Sequence, residues 1–239
     1  MIIAIDAGNS RIKWGVHDGR QWRASGVLAT ADVAWLGEAA DEWPAEARVV
    51  ACNVAGGEVA ASISSLLARR HAAVSFLHAS AAACGVRNCY DRPGQLGADR
   101  WAALIGARAE SDSAALMVCA GTATTVDLLD AAGVFQGGLI LPGFDLMRAA
   151  LARNTAQLPL AEGDFRDTPR NTLDAIASGC LQAQLGAVER MFAAIAAEPG
   201  VRCLLTGGGA ERLAAHLKIP CRVVDPLILN GLVRYATSL

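Results

Sequence analysis

The sequence is short of charge and shorter still of lysine. Only 18% of its 239 residues are charged, and of 21 basic residues just two, Lys13 and Lys218, are lysine; the other 19 are arginine. The net charge of −2, with no block of like charges, argues against a broad nucleic-acid surface. No run of about 18 apolar residues occurs, so a membrane-spanning helix has no support. The opening Met1–Asp6 lacks a basic stretch and is cut short by Asp6, so a secretory signal is not expected. The seven cysteines are odd in number and contain no CxxC pair, the nearest two being Cys84 and Cys89. The four histidines, His17, His71, His78 and His216, have no metal-ligand spacing. These absences point to a reduced, cytoplasmic protein without disulfides or structural zinc. Cys52, Cys119, Cys203 and Cys221 lie in apolar runs and read as small hydrophobic residues.

What is abundant is apolar surface. At 53% hydrophobic the chain can bury a core, which excludes disorder over most of its length. The length suits one large domain or two small ones. A weak internal repeat favours two. Ile3–Gly8 (IAIDAG) and Leu116–Gly121 (LMVCAG) are apolar runs ending in Ala-Gly, offset by 113 residues. Each is followed by a small polar residue, Asn9 or Thr122, and then by a second apolar run, Ile12–Val16 or Val126–Leu129. A turn follows each, at His17-Asp18-Gly19 and at Asp130–Gly133, so both copies read as β-meanders.

The remainder alternates. Strands are predicted at 49–54, 74–77, 202–206 and 222–224. Helices are predicted at 62–70, 100–109, 172–197 (with breaks near Gly179 or Gly186), 211–217 and 227–237. Such alternation indicates an α/β fold. The polar break at Ser111-Asp112-Ser113 divides it into lobes 1–112 and 113–239.

Three loops that leave apolar strands are rich in glycine and small polar residues. They are Asp6-Ala7-Gly8-Asn9-Ser10, Gly121-Thr122-Ala123-Thr124-Thr125 and Thr206-Gly207-Gly208-Gly209-Ala210. Glycine lets backbone N–H groups approach a phosphate, and hydroxyls add donors. Lys13 can bring a compact positive charge to the first loop, and Asp6 can bind Mg²⁺ directly or through water. None of the three matches GxxxxGK[ST] or GxGxxG. Their number and their place in a repeat favour a nucleotide clamped between lobes.

Paired phosphate hairpins in a duplicated lobe resemble the actin/Hsp70/sugar-kinase superfamily. Within it, four blocks resemble type III pantothenate kinase and its relative, the Bvg accessory factor. The blocks are Asp6–Lys13 (DAGNSRIK), Tyr90–Trp101 (YDRPGQLGADRW), Gly121–Asp127 (GTATTVD) with Gly137–Gly143 (GGLILPG), and Asn171-Thr172 with Ala175–Gly179 (AIASG). The resemblance implies two ribonuclease H-like lobes, a homodimer, and transfer of phosphate from ATP to the 4′-hydroxyl of pantothenate. It implies that Asp6, Ala7, Gly8, Asn9, Ser10, Arg11, Ile12 and Lys13 hold ATP phosphates and Mg²⁺, with Thr122 also on ATP. Asp99 would be the general base, and Tyr90, Gly97, Ala98, Arg100 and Thr172 would surround pantothenate, with Arg100 facing its carboxylate. The Gly207–Gly209 loop would lie near the adenosine.

Alternatives stand beside this. Asp99 and Arg100 also read as an ion pair at a helix start, Asp being a good N-cap. A regulatory accessory factor, or a kinase for another small alcohol, would share the pattern. Two positions depart from the family. Cys119 stands where an aspartate commonly helps bind K⁺ or NH₄⁺, so that site is either lost or built from backbone carbonyls and Thr hydroxyls; Ser10 replaces a threonine and keeps the hydroxyl. The five tryptophans read as packing residues, and the loop around Leu158–Pro169 as a lid or interface segment. Arg148, Arg153, Arg166 and Arg170 read as solvated.

Overall fold

A computed structural model describes residues 1–70, 73–160 and 162–238. His71, one of the scattered histidines, lies outside them. The chain forms two compact units: Met1–Asp112 with Gly133–Phe135 and Pro226–Leu239, and Ser113–Ala132 with Gln136–Asp225.

The first unit opens with a meander, β1 (Ile2–Ala7), β2 (Arg11–His17) and β3 (Trp22–Ala29). A short helix α1 (Leu36–Ala40), strand β4 (Arg48–Asn53), helix α2 (Gly57–Leu67) and strand β5 (Ser75–Phe76) follow. A small hairpin, β6 (Ala82–Ala83) and β7 (Val86–Asn88), precedes helix α3 (Ala98–Glu110). The strand order is β3-β2-β1-β4-β5, with β1 antiparallel to β2 and parallel to β4. Period-two alternation sorts β1: Ile3, Ile5 and Ala7 enter a core with Ile12, Val16, Val49 and Ala51, while Asp6 falls on the opposite face. Helix α2 begins five residues before the predicted start. Gly56 is its N-cap and Gly57 is already helical.

The second unit repeats the plan. Its strands are β8 (Ala115–Ala120), β9 (Ala123–Leu129) and β10 (Val134–Pro142). Helices α4 (Phe144–Asn154) and α5 (Thr172–Phe192), strand β11 (Arg202–Thr206), helix α6 (Ala210–Ala214) and strand β12 (Cys221–Val223) complete it. The order β12-β11-β8-β9-β10 matches the first sheet strand for strand: β8 is antiparallel to β9 and parallel to β11. Its core joins Leu116, Val118, Val126 and Leu128 to Leu181, Leu185 and Val188 of α5. Helix α5 is not broken at either glycine, because neither position bends the backbone and its apolar face runs on to Phe192. Helix α4 carries no clear apolar stripe and was not legible in the sequence; none of its residues is fully buried.

The last helix, α7 (Leu227–Ala236), belongs to the first unit, whereas the sequence boundary assigned all of 113–239 to the second lobe. It packs against α3, β1 and β4. Asn230 accepts a hydrogen bond from Trp22 Nε1 at 3.1 Å, and the Ala236 carbonyl accepts one from Arg48 at 2.5 Å. The first residues of β10, Val134 and Phe135, likewise pair with Arg87 and Asn88 within the first unit.

Candidate active site

The first loop is the β1–β2 turn. Gly8 N–H donates to the Arg11 carbonyl at 3.0 Å, the Thr30 hydroxyl to the Gly8 carbonyl at 2.7 Å, and Thr30 N–H to the Ser10 carbonyl at 3.1 Å. Thr30 thus braces a turn whose Asn9, Ser10 and Arg11 are exposed. Ala7 and Ile12, by contrast, are buried in the core and shape the loop through their backbone alone. At the ends of the paired strands Asp6 stands opposite Lys13, so both side chains share one face of the sheet.

Helix α3 packs on β4 near that face and carries Asp99 in its first turn. Asp99 is not the N-cap, a place held by Gly97; its Oδ1 accepts the Arg100 backbone N–H at 2.8 Å. Burial raises the Asp99 carboxyl above its ordinary range, and the Arg100 N–H and guanidinium oppose the rise. Asp6 is pushed up to about 6, first by burial and then by the negative charge of Asp99, against the pull of a Cys52 hydrogen bond and of Lys13. The two carboxylates therefore lie close enough to feel one another.

Cys52 reads as a small hydrophobe and is fully buried, but its thiol also meets a carboxylate. In the parallel β1–β4 pair it is the register partner of Asp6, and its thiol donates to Asp6 Oδ1 at 3.3 Å. Burial and the charges of Asp6 and Asp99 hold the thiol well above its usual pKa, so it stays protonated as a donor. The missed signal was strand parity: Asp6 and Cys52 are each one residue past a core residue, Ile5 or Ala51.

Arg100 is only 4% exposed. It donates through Nη1 to the Tyr90 hydroxyl at 3.0 Å, with its guanidinium 5.7 Å from the centre of that ring and 5.8 Å from that of Phe135. It thus supports the half-buried Tyr90 rather than standing open to solvent. Ala98 and Gly97, half-buried, begin the helix beside it.

In the second unit two glycine loops meet. The turn at Gly121-Thr122 joins β8 to β9, and Thr122 is exposed. Gly209 N–H donates to the Ala120 carbonyl at 3.0 Å. Gly207 has a φ of +94°, and a Cβ there would lie 2.5 Å from the same carbonyl oxygen, so both its conformation and its space require glycine. Gly143 N–H donates to the Thr122 carbonyl at 2.8 Å and fixes the turn from the α4 side. Cys119 sits opposite Thr125 in the β8–β9 pair.

Thr172 opens α5, whose N-cap Asn171 accepts the Asp174 N–H at 2.9 Å. It lines a largely apolar cavity of about 1000 Å³ with Met147, Leu151, Leu158 and Ile176. Arg148 is not solvated as expected: its side chain is 15% exposed and lies 5.4 Å from the Phe144 ring centre. Among the described residues no cluster of three or more His, Cys, Asp or Glu could hold a metal, and no helix is long and apolar enough to cross a membrane.

Residues 2–194 match the family model described as type III pantothenate kinase. A type III pantothenate kinase of Aromatoleum aromaticum is 60% identical over 232 residues, covering 97% of this chain and 96% of that protein. Among solved structures, a candidate Baf family transcriptional activator from Campylobacter jejuni superposes with a TM-score of 0.68 at 18% identity, over 99% of this chain and 98% of its own. A candidate 2-dehydro-3-deoxygalactonokinase from Sinorhizobium meliloti does so with a TM-score of 0.66 at 16% identity, over 100% and 99%. The structural likenesses show a fold of the sugar-kinase type. The sequence matches show more: the chain belongs to the type III pantothenate kinase family.

Proposed function

We propose that this protein transfers the γ-phosphoryl group of ATP to the 4′-hydroxyl of pantothenate, giving 4′-phosphopantothenate, the first step towards coenzyme A. The observation that carries the reading beyond kinship is the assembly of Asp6, Lys13 and Asp99 in one unit, with both carboxyls raised by burial and Asp6 raised further by the charge of Asp99.

An alcohol is a poor nucleophile, and a carboxylate that accepts its proton as the new bond forms lowers that barrier. Asp99 takes this role. Its raised pKa brings it nearer to neutral pH, where a base works best. Tyr90, Gly97, Ala98 and Arg100 border it and form the pantothenate side, with Arg100 holding the Tyr90 ring. Thr172 is a further contact in this reading.

Residues 6–13 hold the phosphates through the braced turn, with Lys13 as the fixed positive charge. Thr122 contacts ATP, and the Gly207–Gly209 loop serves the adenosine. Magnesium, when bound with ATP, neutralises phosphate charge. The donor set fits it: Asp6 is a buried carboxylate beside the phosphate turn, and Mg²⁺ characteristically takes one or two carboxylates plus phosphate oxygens. The residues do not fit a potassium or ammonium ion at position 119, because a thiol is a soft ligand and these ions prefer hard oxygens.

Exposed Leu139, Ile140, Leu146 and Leu160 in the second unit support a homodimer. Seven cysteines with no disulfide between them suit a reducing, cytoplasmic setting. A purely regulatory accessory factor would have no use for the intact Asp6–Lys13–Asp99 group. The test is a coupled assay with purified protein, ATP, Mg²⁺ and pantothenate, with and without K⁺ and alongside a panel of other small alcohols. Phosphopantothenate formed without K⁺ is the expected result; no turnover of pantothenate under any of these conditions overturns the reading.

A further inference from the structure

We propose that Cys52 is a positioning residue, whose thiol aims the Asp6 carboxylate at the cation that accompanies ATP. The inference rests on the reading of Asp6 given above and names a residue that reading does not use.

Three observations carry it. First, Cys52 is the register partner of Asp6 on the neighbouring parallel strand, so the backbone pairing of β1 and β4 sets where the sulfur sits. Second, the thiol lies 3.3 Å from Oδ1, within hydrogen-bond range for sulfur, and Cys52 is fully buried. Third, Cys52 lies on the face of β4 opposite Ala51, the face that also carries Asp6 on β1, so its sulfur is buried beside a carboxylate and not in the apolar cluster that takes Ala51.

The choice of donor matters. A lysine or arginine here would cancel the Asp6 charge and compete with a cation. A methyl group would leave the carboxylate free to rotate. A thiol is a neutral, weak donor: it occupies one oxygen and fixes the plane of the carboxylate while leaving its charge for a cation. The same logic governs metal ligands generally, where an outer partner orients the ligating group and its loss typically costs about 10–100-fold in affinity or activity.

The experiment measures binding, not turnover. Affinity for a non-hydrolysable ATP analogue is determined by calorimetry, with Mg²⁺ and with EDTA, for the wild type and for Cys52→Ala, Cys52→Ser and Asp6→Asn. Thermal unfolding of each confirms a folded sample. The expected result is that Cys52→Ala weakens binding about 10-fold in Mg²⁺ but not in EDTA. Cys52→Ser, which keeps a donor, stays within about twofold of the wild type, while Asp6→Asn loses the Mg²⁺-dependent part. If Asp6→Asn loses it and Cys52→Ala does not, the positioning role is overturned while the Asp6 reading survives. If Asp6→Asn also binds as the wild type does, the Asp6 reading itself has failed. Equal losses for Cys52→Ala in Mg²⁺ and EDTA would show a packing role and overturn the proposal. If Cys52→Ala does not fold, Cys52→Ser decides: a folded serine variant that loses Mg²⁺-dependent affinity also overturns it.

Discussion

Arg100 reaches back from α3 to donate to the Tyr90 hydroxyl at 3.0 Å, joining the helix that carries the candidate base to the segment that precedes it. The guanidinium is buried, so the acceptor it finds in Tyr90 is not readily replaced by water. Tyr90→Phe is expected to lower stability by about 1–2 kcal/mol, measured by urea unfolding. It should also raise the KM for pantothenate more than that for ATP. An unchanged midpoint and unchanged KM values would mean the pair does no structural or positioning work.

Asp99→Asn keeps the volume and removes the base. Turnover should fall about 10²–10⁴-fold, the usual contribution of general acid–base catalysis. Calorimetric affinity for a non-hydrolysable ATP analogue should stay close to wild type. Retention of more than a tenth of kcat would move the base elsewhere.

The Asp6 carboxyl ionises near pH 6 in the folded protein, against an ordinary value of 3.8. Between these values the folded state holds a proton that the unfolded state has released. The stabilisation is therefore complete below about pH 4 and is lost as pH rises through about 6. Asp99, raised for the same reason, acts in the same direction. Without nucleotide or Mg²⁺, Tm should fall from pH 5 to pH 7 more steeply in the wild type than in Asp6→Asn. Mg²⁺-dependent nucleotide binding should move the opposite way, weakening as pH drops below 6. Parallel Tm profiles for the two proteins would contradict the assignment.

Helices α3 and α7 approach through a pair of glycines. A Cβ on Gly231 would strike the Ala102 carbonyl, and one on Gly106 the Leu227 carbonyl, both of them backbone atoms that cannot swing aside. Gly231→Ala should cost about 1–3 kcal/mol or more through overpacking. Gly186→Ala, in open space on α5, should gain about 0.5–1 kcal/mol from helix propensity. Chemical unfolding of both variants checks the contrast, and equal effects would refute the close packing.

Much of this protein follows from its sequence alone. The repeat of Ile3–Gly8 in Leu116–Gly121 fixed the meanders, because apolar runs of period two ended by glycine turns have few other ways to fold. The spacing of Asp6 and Lys13 around a tight turn is enough to put them on one face once the hairpin is drawn. Other features depend on pairings between distant segments, which local pattern does not encode. Cys52 looks apolar until the parallel pairing of β1 with β4 sets it beside Asp6. Arg100 reads as a partner for a substrate carboxylate or for Asp99 until the fold buries it against Tyr90 and Phe135. Helix α7 follows the second repeat in sequence, yet Gly231 and Gly106 let it pack in the first unit. Local periodicity determined most of the elements and the candidate loops, though not α1, α4 or the β6–β7 hairpin. Tertiary packing decided which side chains are buried, and with that the ionisation of Asp6 and Asp99, because the cost of a charge is set by the atoms that replace its water.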